Sequence, residues 1–342
     1  MTIEQIKDKL KSKEYDFLRT DKNLGNNIII LTLGGSHAYG TNNEDSDLDI
    51  RGCALNSKMQ ILTNENFEQF INNETDTTIY AFNKLVALLS NTNPNTIEML
   101  GNKPEHYFYV SPIGQELIDN AHLFLSKRAC HSFGGYANQQ LYRLNQKATH
   151  QMSQSELEKH ILKTLEFMQT DFTKKYTPYS DDSMKLYIDK AVQEGYDTEI
   201  FMDVNLHHYP LRDYCSMWNE LQNTVRQYGK IGKRNEKAIE HGKIAKHSMH
   251  LIRLYMMCLD ILEKERIITY REDEHDLLMD IRNGKYLDGN DQPIPEFFEM
   301  VNDYEKRLDY AKKNTSLPDN PNYKAINEFI ASVNERVVKG EI

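Results

Sequence analysis

The spacing of apolar and polar positions changes character once along the chain. The run "IIILTL" lies between Asn26-Asn27 and Gly34-Gly35 and is short, continuous and β-rich, the pattern of a buried strand with turn residues at both ends. "LDIRGCAL" and "TDTTIYAF" alternate apolar and polar positions, so each predicts a strand, while "FEQFINN" between them fits no single type. Residues 1–20 mix charge with apolar positions as an amphipathic helix does, and "NKLVALLSN" is helical in pattern. "NPNTIEMLGN" supplies a turn, an N-cap at Asn95 and a further short helix. Beyond about residue 108 the strand pattern gives way to long stretches of helical spacing, among them "LEKHILKTLEFMQTDF", "DYCSMWNELQNTVRQY" and "KIAKHSMHLIRLYMMCLDILEKE". The expectation is an α/β (α+β) domain with a small mixed sheet over 1–107, followed by a mostly α-helical domain over 108–342.

A chain of 342 residues is long enough for two such domains. Its apolar stretches fall short of the roughly 18 residues of a membrane span, and the N-terminal segment reads as neither signal peptide nor transmembrane helix, so a cytoplasmic protein with no membrane partner is expected. Cys53, Cys130, Cys215 and Cys258 lack zinc-site or disulfide-scaffold spacing and read as reduced packing residues. A formal charge of -10 argues against phosphate-binding surface everywhere, but leaves room for local basic patches.

"GGSHAYGTNNEDSDLDIRG" carries the chemistry. On a strand, Asp47 and Asp49 at i and i+2 project from one face while Leu48 and Ile50 point to the core. Two carboxylates so placed repel each other unless a cation sits between them, and magnesium, or manganese, suits oxygen ligands shared with a phosphate. Gly34 and Gly35 allow a bend to approach phosphate closely, and Ser36 adds a hydroxyl and an N–H. Bend and acids together read as two halves of a nucleoside-triphosphate site. A two-metal site needs a third acid. Asp76 is favoured for it, with Glu74, two residues earlier on the same face, left as the alternative.

Gly35-Ser36 followed by Asp47-Leu48-Asp49 resembles the G-S…D-x-D signature of the polymerase β nucleotidyltransferase superfamily. The fuller stretch is similar to its RlaP-like or YcgL-like branch, some of whose members are associated with RNA repair, and the similarity extends through "NPNTIEML", "FGGYANQQLYRL", "AKHSMHLIRL" and "LLMDIRNGK". The resemblance implies a nucleotidyltransferase domain, with Gly35 and Ser36 as phosphate binders and Asp47, Asp49 and Asp76 as metal-binding catalytic acids.

Residues 126–147 contain no acid. Lys127, Arg128, Arg143 and Lys147 flank Phe133 and Tyr136, a mixture suited to nucleic acid, although Phe133 fits a core position equally well. Lys246, His250 and Arg253 fall on one helical stripe that would hold the β- and γ-phosphates, with Arg271, Arg282 and Lys285 as further phosphate contacts. The reading is a transferase of the EC 2.7.7 class that moves a nucleoside monophosphate from a triphosphate to an acceptor hydroxyl. An RNA end is favoured as the acceptor, in RNA repair or tRNA modification; a protein hydroxyl or a second nucleotide is the alternative. Oligomeric state is left open. Two other classes compete: a non-catalytic nucleotide or RNA binder, and a ribonuclease built on Arg234 and His241 in "RNEKAIEH".

Overall fold

The computed structural model describes residues 1–134, 137, 154–192, 198–223, 244–289 and 293–342. The chain divides into two compact units. Residues 1–140, 245–287 and 293–342 make the first, and residues 141–244 with 288–292 the second.

The first unit is built on a five-stranded sheet of order β3-β4-β2-β1-β5. Its strands are β1 (Ile28–Leu33), β2 (Ile50–Ala54), β3 (Gln69–Asn72), β4 (Thr77–Ala81) and β5 (Tyr107–Val110). β2 and β4 are parallel, and the other pairs are antiparallel. All six β1 residues are buried, as a continuous apolar run in an interior strand requires. One core joins Ile29, Ile30 and Cys53 to Phe82, Leu85, Leu117, Leu254 and Cys258. Another joins Leu31, Leu33, Ile50 and Ile79 to Ile6, Leu10, Tyr15 and Ala38. Burial of each such large side chain contributes about 1.5–3 kcal/mol, so the sheet is anchored by both cores. The helices that matter to the site are α1 (Ile3–Leu10), α2 (Gly35–Tyr39), α3 (Phe82–Ser90), α4 (Ile244–Lys264) and α5 (His275–Arg282).

The second unit contains the helix Gln154–Lys175, helical residues 211–223 and an antiparallel pair of strands, β6 (Met184–Lys190) and β7 (Thr198–Val204). Its core includes Ile161, Leu165, Phe172, Met184, Met217 and Leu221. Among the described residues no helix is long and apolar enough to cross a membrane.

Several elements differ from the sequence-based expectation. The expected helix over 1–20 is α1, a 3-10 turn (Lys13–Tyr15) and a short helix (Phe17–Thr20). "FEQFINN" contains β3. The cap of the helix Pro94–Ile97 is Asn93, whose side chain accepts from the Asn95 N–H, rather than Asn95 itself. β5 is a four-residue edge strand, too short to show a period. β6 and β7 form a ribbon with only partial burial, which leaves little contrast between faces to read in the sequence. The compact units also do not divide at residue 107, because α4 and the helices after it pack into the first unit.

Candidate active site

Strand register assembles the site. Leu33 of β1 pairs with Ile50 of β2, and the Gly34 N–H continues the ladder to the Asp49 carbonyl at 2.9 Å. Ile50 pairs in parallel with Thr77 of β4, and its N–H reaches the Asp76 carbonyl at 3.2 Å. The end of β1 therefore meets the starts of β2 and β4, and neighbouring strands lie about 4.8 Å apart. This brings Gly34-Gly35, Asp49 and Asp76, separated in sequence, to one end of the sheet.

The bend presses on the acid. Gly35 has φ +57°, a conformation L side chains rarely adopt, and a Cβ there would lie 1.9 Å from Asp49 Oδ2. A Cβ on Gly34 would lie 2.7 Å from Arg51 Cγ. Glycine is thus required at 35 both by backbone conformation and by the close approach of the carboxylate. Ser36 and His37 follow in α2, both buried. Burial pulls the His37 imidazole below its ordinary value, which favours the neutral ring at neutral pH. After α2 the chain turns through Thr41, whose N–H bonds Ser36 O at 2.9 Å, and Ser46 Oγ bonds Asn43 Oδ1 at 2.7 Å. Arg282 of α5 donates to Thr41 O, Asn43 Oδ1 and Ser46 Oγ at 2.5, 3.1 and 2.9 Å, which fixes the loop that delivers the aspartates.

Asp47 is exposed, Leu48 and Ile50 are buried, and Asp49 is half-buried, so the expected alternation holds although β2 begins only at Ile50. Asp76 is exposed and precedes β4 rather than lying in it, with φ 45°. Burial is the main reason the Asp49 carboxyl titrates above the ordinary aspartate value; the Arg51 guanidinium opposes that rise, the Asp76 charge adds to it and Lys246 of α4 opposes it again. Asp76 thus interacts electrostatically with Asp49, and Glu74 lies two residues earlier in the same turn with its N–H on the Asn72 side chain. Arg51 donates to Asp49 Oδ1 at 2.9 Å and to the Asp76 carbonyl at 2.7 Å. The sequence reading assigned Arg51 no role, though the alternation that pairs Asp47 with Asp49 puts residue 51 on the same face.

Other expected contacts lie elsewhere. Arg253 is not presented to a phosphate: it is fully buried, its guanidinium 3.6 Å from the Tyr39 ring centroid and 3.4 Å from Glu98 Oε2. Glu98 accepts from the Tyr39 hydroxyl, and His250 Nδ1 accepts from Arg253 at 3.0 Å. A cation two turns along α4 faces the core because the stripe of Lys246, His250 and Arg253 passes from exposed, through half-buried, to fully enclosed. The sequence hint to this network was Glu98, a lone charge in the apolar "TIEML". Arg271 is buried on Asp260, and Lys285 pairs with Asp280. Lys127 pairs with Asp319 at 3.1 Å, Arg128 binds Asn91 Oδ1 at 2.8 Å, and Phe133 is a core residue. Tyr136, Arg143, Lys147, Arg234 and His241 lie outside the described residues.

Among the described residues no three His, Cys, Asp or Glu side chains form a ready-made metal cage. The donors at the sheet end nonetheless suit a hard divalent ion. They are carboxylate oxygens, one of them half-buried beside a second carboxylate, and magnesium is ordinarily held by only one or two carboxylates plus substrate phosphate.

In comparisons with known proteins, the family model RlaP, described as RNA repair pathway DNA polymerase beta family, matches residues 5–332. Neither the curated proteins nor the solved structures gave a match.

Proposed function

This chain belongs to the RNA repair pathway DNA polymerase beta family, and we propose that it transfers a nucleoside monophosphate from a nucleoside triphosphate to the hydroxyl at an RNA end. The observation that carries the reading is the Gly34-Gly35 bend lying directly on Asp49, with Asp76 across the parallel strand pair.

Backbone N–H groups and the Ser36 hydroxyl at the bend would bind the triphosphate, and the absence of side chains at 34 and 35 lets phosphate oxygens approach the backbone. Asp49 and Asp76, with Asp47 on the approach to β2, would hold a divalent ion such as magnesium or manganese. When bound there, the ion would polarise the α-phosphoryl group and ease deprotonation of the attacking hydroxyl. Lys246, exposed and within electrostatic reach of Asp49, would counter the charge on the phosphates and on departing pyrophosphate. The loop bonded by Arg282 keeps the segment carrying Asp47 in place.

The test incubates the protein with each α-labelled triphosphate, magnesium, and separately RNA with free 3′ ends, tRNA, a mixed protein acceptor or nucleotide alone. Label on RNA that is lost in Asp47→Asn and Asp49→Asn supports the proposal. Label on protein, or a free oligonucleotide product, moves the acceptor to the alternative classes. No Asp49-dependent transfer to any acceptor refutes it.

A further inference from the structure

One side chain touches every part of the sheet end. The Arg51 guanidinium donates through Nη2 to Asp49 Oδ1 at 2.9 Å, and through Nη1 to the carbonyls of Asp76 at 2.7 Å and Ile50 at 3.2 Å. Its stem packs against Gly34, where a Cβ would meet Arg51 Cγ at 2.7 Å. The same group thus contacts the phosphate-side bend, the acid before β2 and the backbone of the acid before β4.

That contact helps hold the backbone of Asp76. Its φ of 45° is left-handed, a conformation uncommon outside glycine but one that aspartate adopts more readily than most residues. Its carbonyl receives two donors, the Ile50 N–H at 3.2 Å and Arg51 Nη1 at 2.7 Å. The guanidinium is a rigid planar fork, so satisfying Asp49 Oδ1 with one arm and Asp76 O with the other fixes the spacing of the two residues. A lysine ammonium is a single point on a flexible stem and would meet one acceptor at the expense of the other. Arg51 also places one positive charge against the Asp49 carboxylate. The two acids keep net negative charge to attract a cation, while their mutual repulsion is reduced.

We infer that Arg51 is the positioning residue of this centre: it ties the Asp49 carboxylate to the main chain of Asp76, so that a divalent cation meets the two acidic residues at a fixed backbone spacing. This rests on the nucleotidyltransferase reading and adds to it a residue that acts through the two acids without touching the substrate.

The experiment titrates Mn2+ into wild type, Arg51→Lys and Asp49→Asn, following the free-ion EPR signal, alongside hydrogen exchange of segment 73–77 in metal-free protein. The expected result is an Arg51→Lys dissociation constant raised about tenfold or more, the range found when groups that orient metal ligands are changed. Faster exchange confined to 73–77 is expected with it, while the melting temperature stays close to wild type. In turnover, kcat falls while the KM for triphosphate holds, a split that general loosening of the fold would not produce. Mn2+ affinity or 73–77 exchange in Arg51→Lys equal to wild type overturns the role of Arg51 alone. Wild type that binds Mn2+ no better than Asp49→Asn overturns both this inference and the metal-dependent reading. Should Arg51→Lys not fold, Arg51→Gln, which keeps a donor for the Asp76 carbonyl, is read by the same criteria.

Discussion

Replacing Gly35 by alanine perturbs the backbone and the acid together. The backbone sits at φ +57°, where a Cβ costs about 1–2 kcal/mol. The new methyl would also lie 1.9 Å from Asp49 Oδ2 and 2.6 Å from its Cγ, whereas ordinary contact begins near 3.4 Å. The carboxylate must then retreat by about 1.5 Å or the bend must open, and a displacement of about 1 Å at reacting groups is enough to cost roughly 100-fold in rate. At about 2–4 °C per kcal/mol for a unit of this size, the backbone cost alone lowers the melting temperature by about 2–8 °C. The assay is labelled-nucleotide transfer at saturating magnesium together with thermal unfolding, with Gly289→Ala as the control because nothing lies within 4 Å of its Cβ position. Turnover within about twofold of wild type in Gly35→Ala would refute the claim that the bend and Asp49 work as one unit.

Two further outcomes follow from the electrostatics of the first unit. The Asp49 carboxyl titrates above its ordinary value, mainly through burial, so the folded protein holds that proton more tightly than the unfolded chain. Its contribution to stability therefore declines as pH rises from the ordinary aspartate range through the raised value. Asp49→Asn is expected to abolish transfer, flatten this part of the stability-pH profile and leave metal-free melting at neutral pH no lower than wild type; a clear loss of melting temperature in that variant would contradict the sign. Arg253→Ala removes the cation from a buried pair with Glu98 and is expected to cost about 3–5 kcal/mol by urea unfolding. Arg253→Met with Glu98→Gln should recover part of that loss, and a single-variant loss below about 1 kcal/mol would show the pair behaving as an exposed one.

Much of the first unit was legible because its signals are local. The strand at 28–33 is a continuous apolar run closed by glycines, and the Asp47-Leu48-Asp49 alternation shows which side chains leave the core whether or not the segment is formally a strand. Such features are decided within a few residues, by the allowed backbone conformations and the burial of every second side chain. β5, β6 and β7 escaped notice because short edge or ribbon strands carry too little apolar contrast to display a period.

The sequence by itself determined the chemistry available: a glycine bend, a pair of acids, a third acid downstream and a helix bearing spaced cations. Tertiary structure alone decided which of these meet. The parallel register of Ile50 with Thr77 makes Asp76 the neighbour of Asp49, and the rotation of α4 exposes Lys246 while it buries Arg253 on Tyr39 and Glu98. Strand order and helix rotation depend on contacts between residues far apart in the chain, and periodicity within one segment carries no information about them.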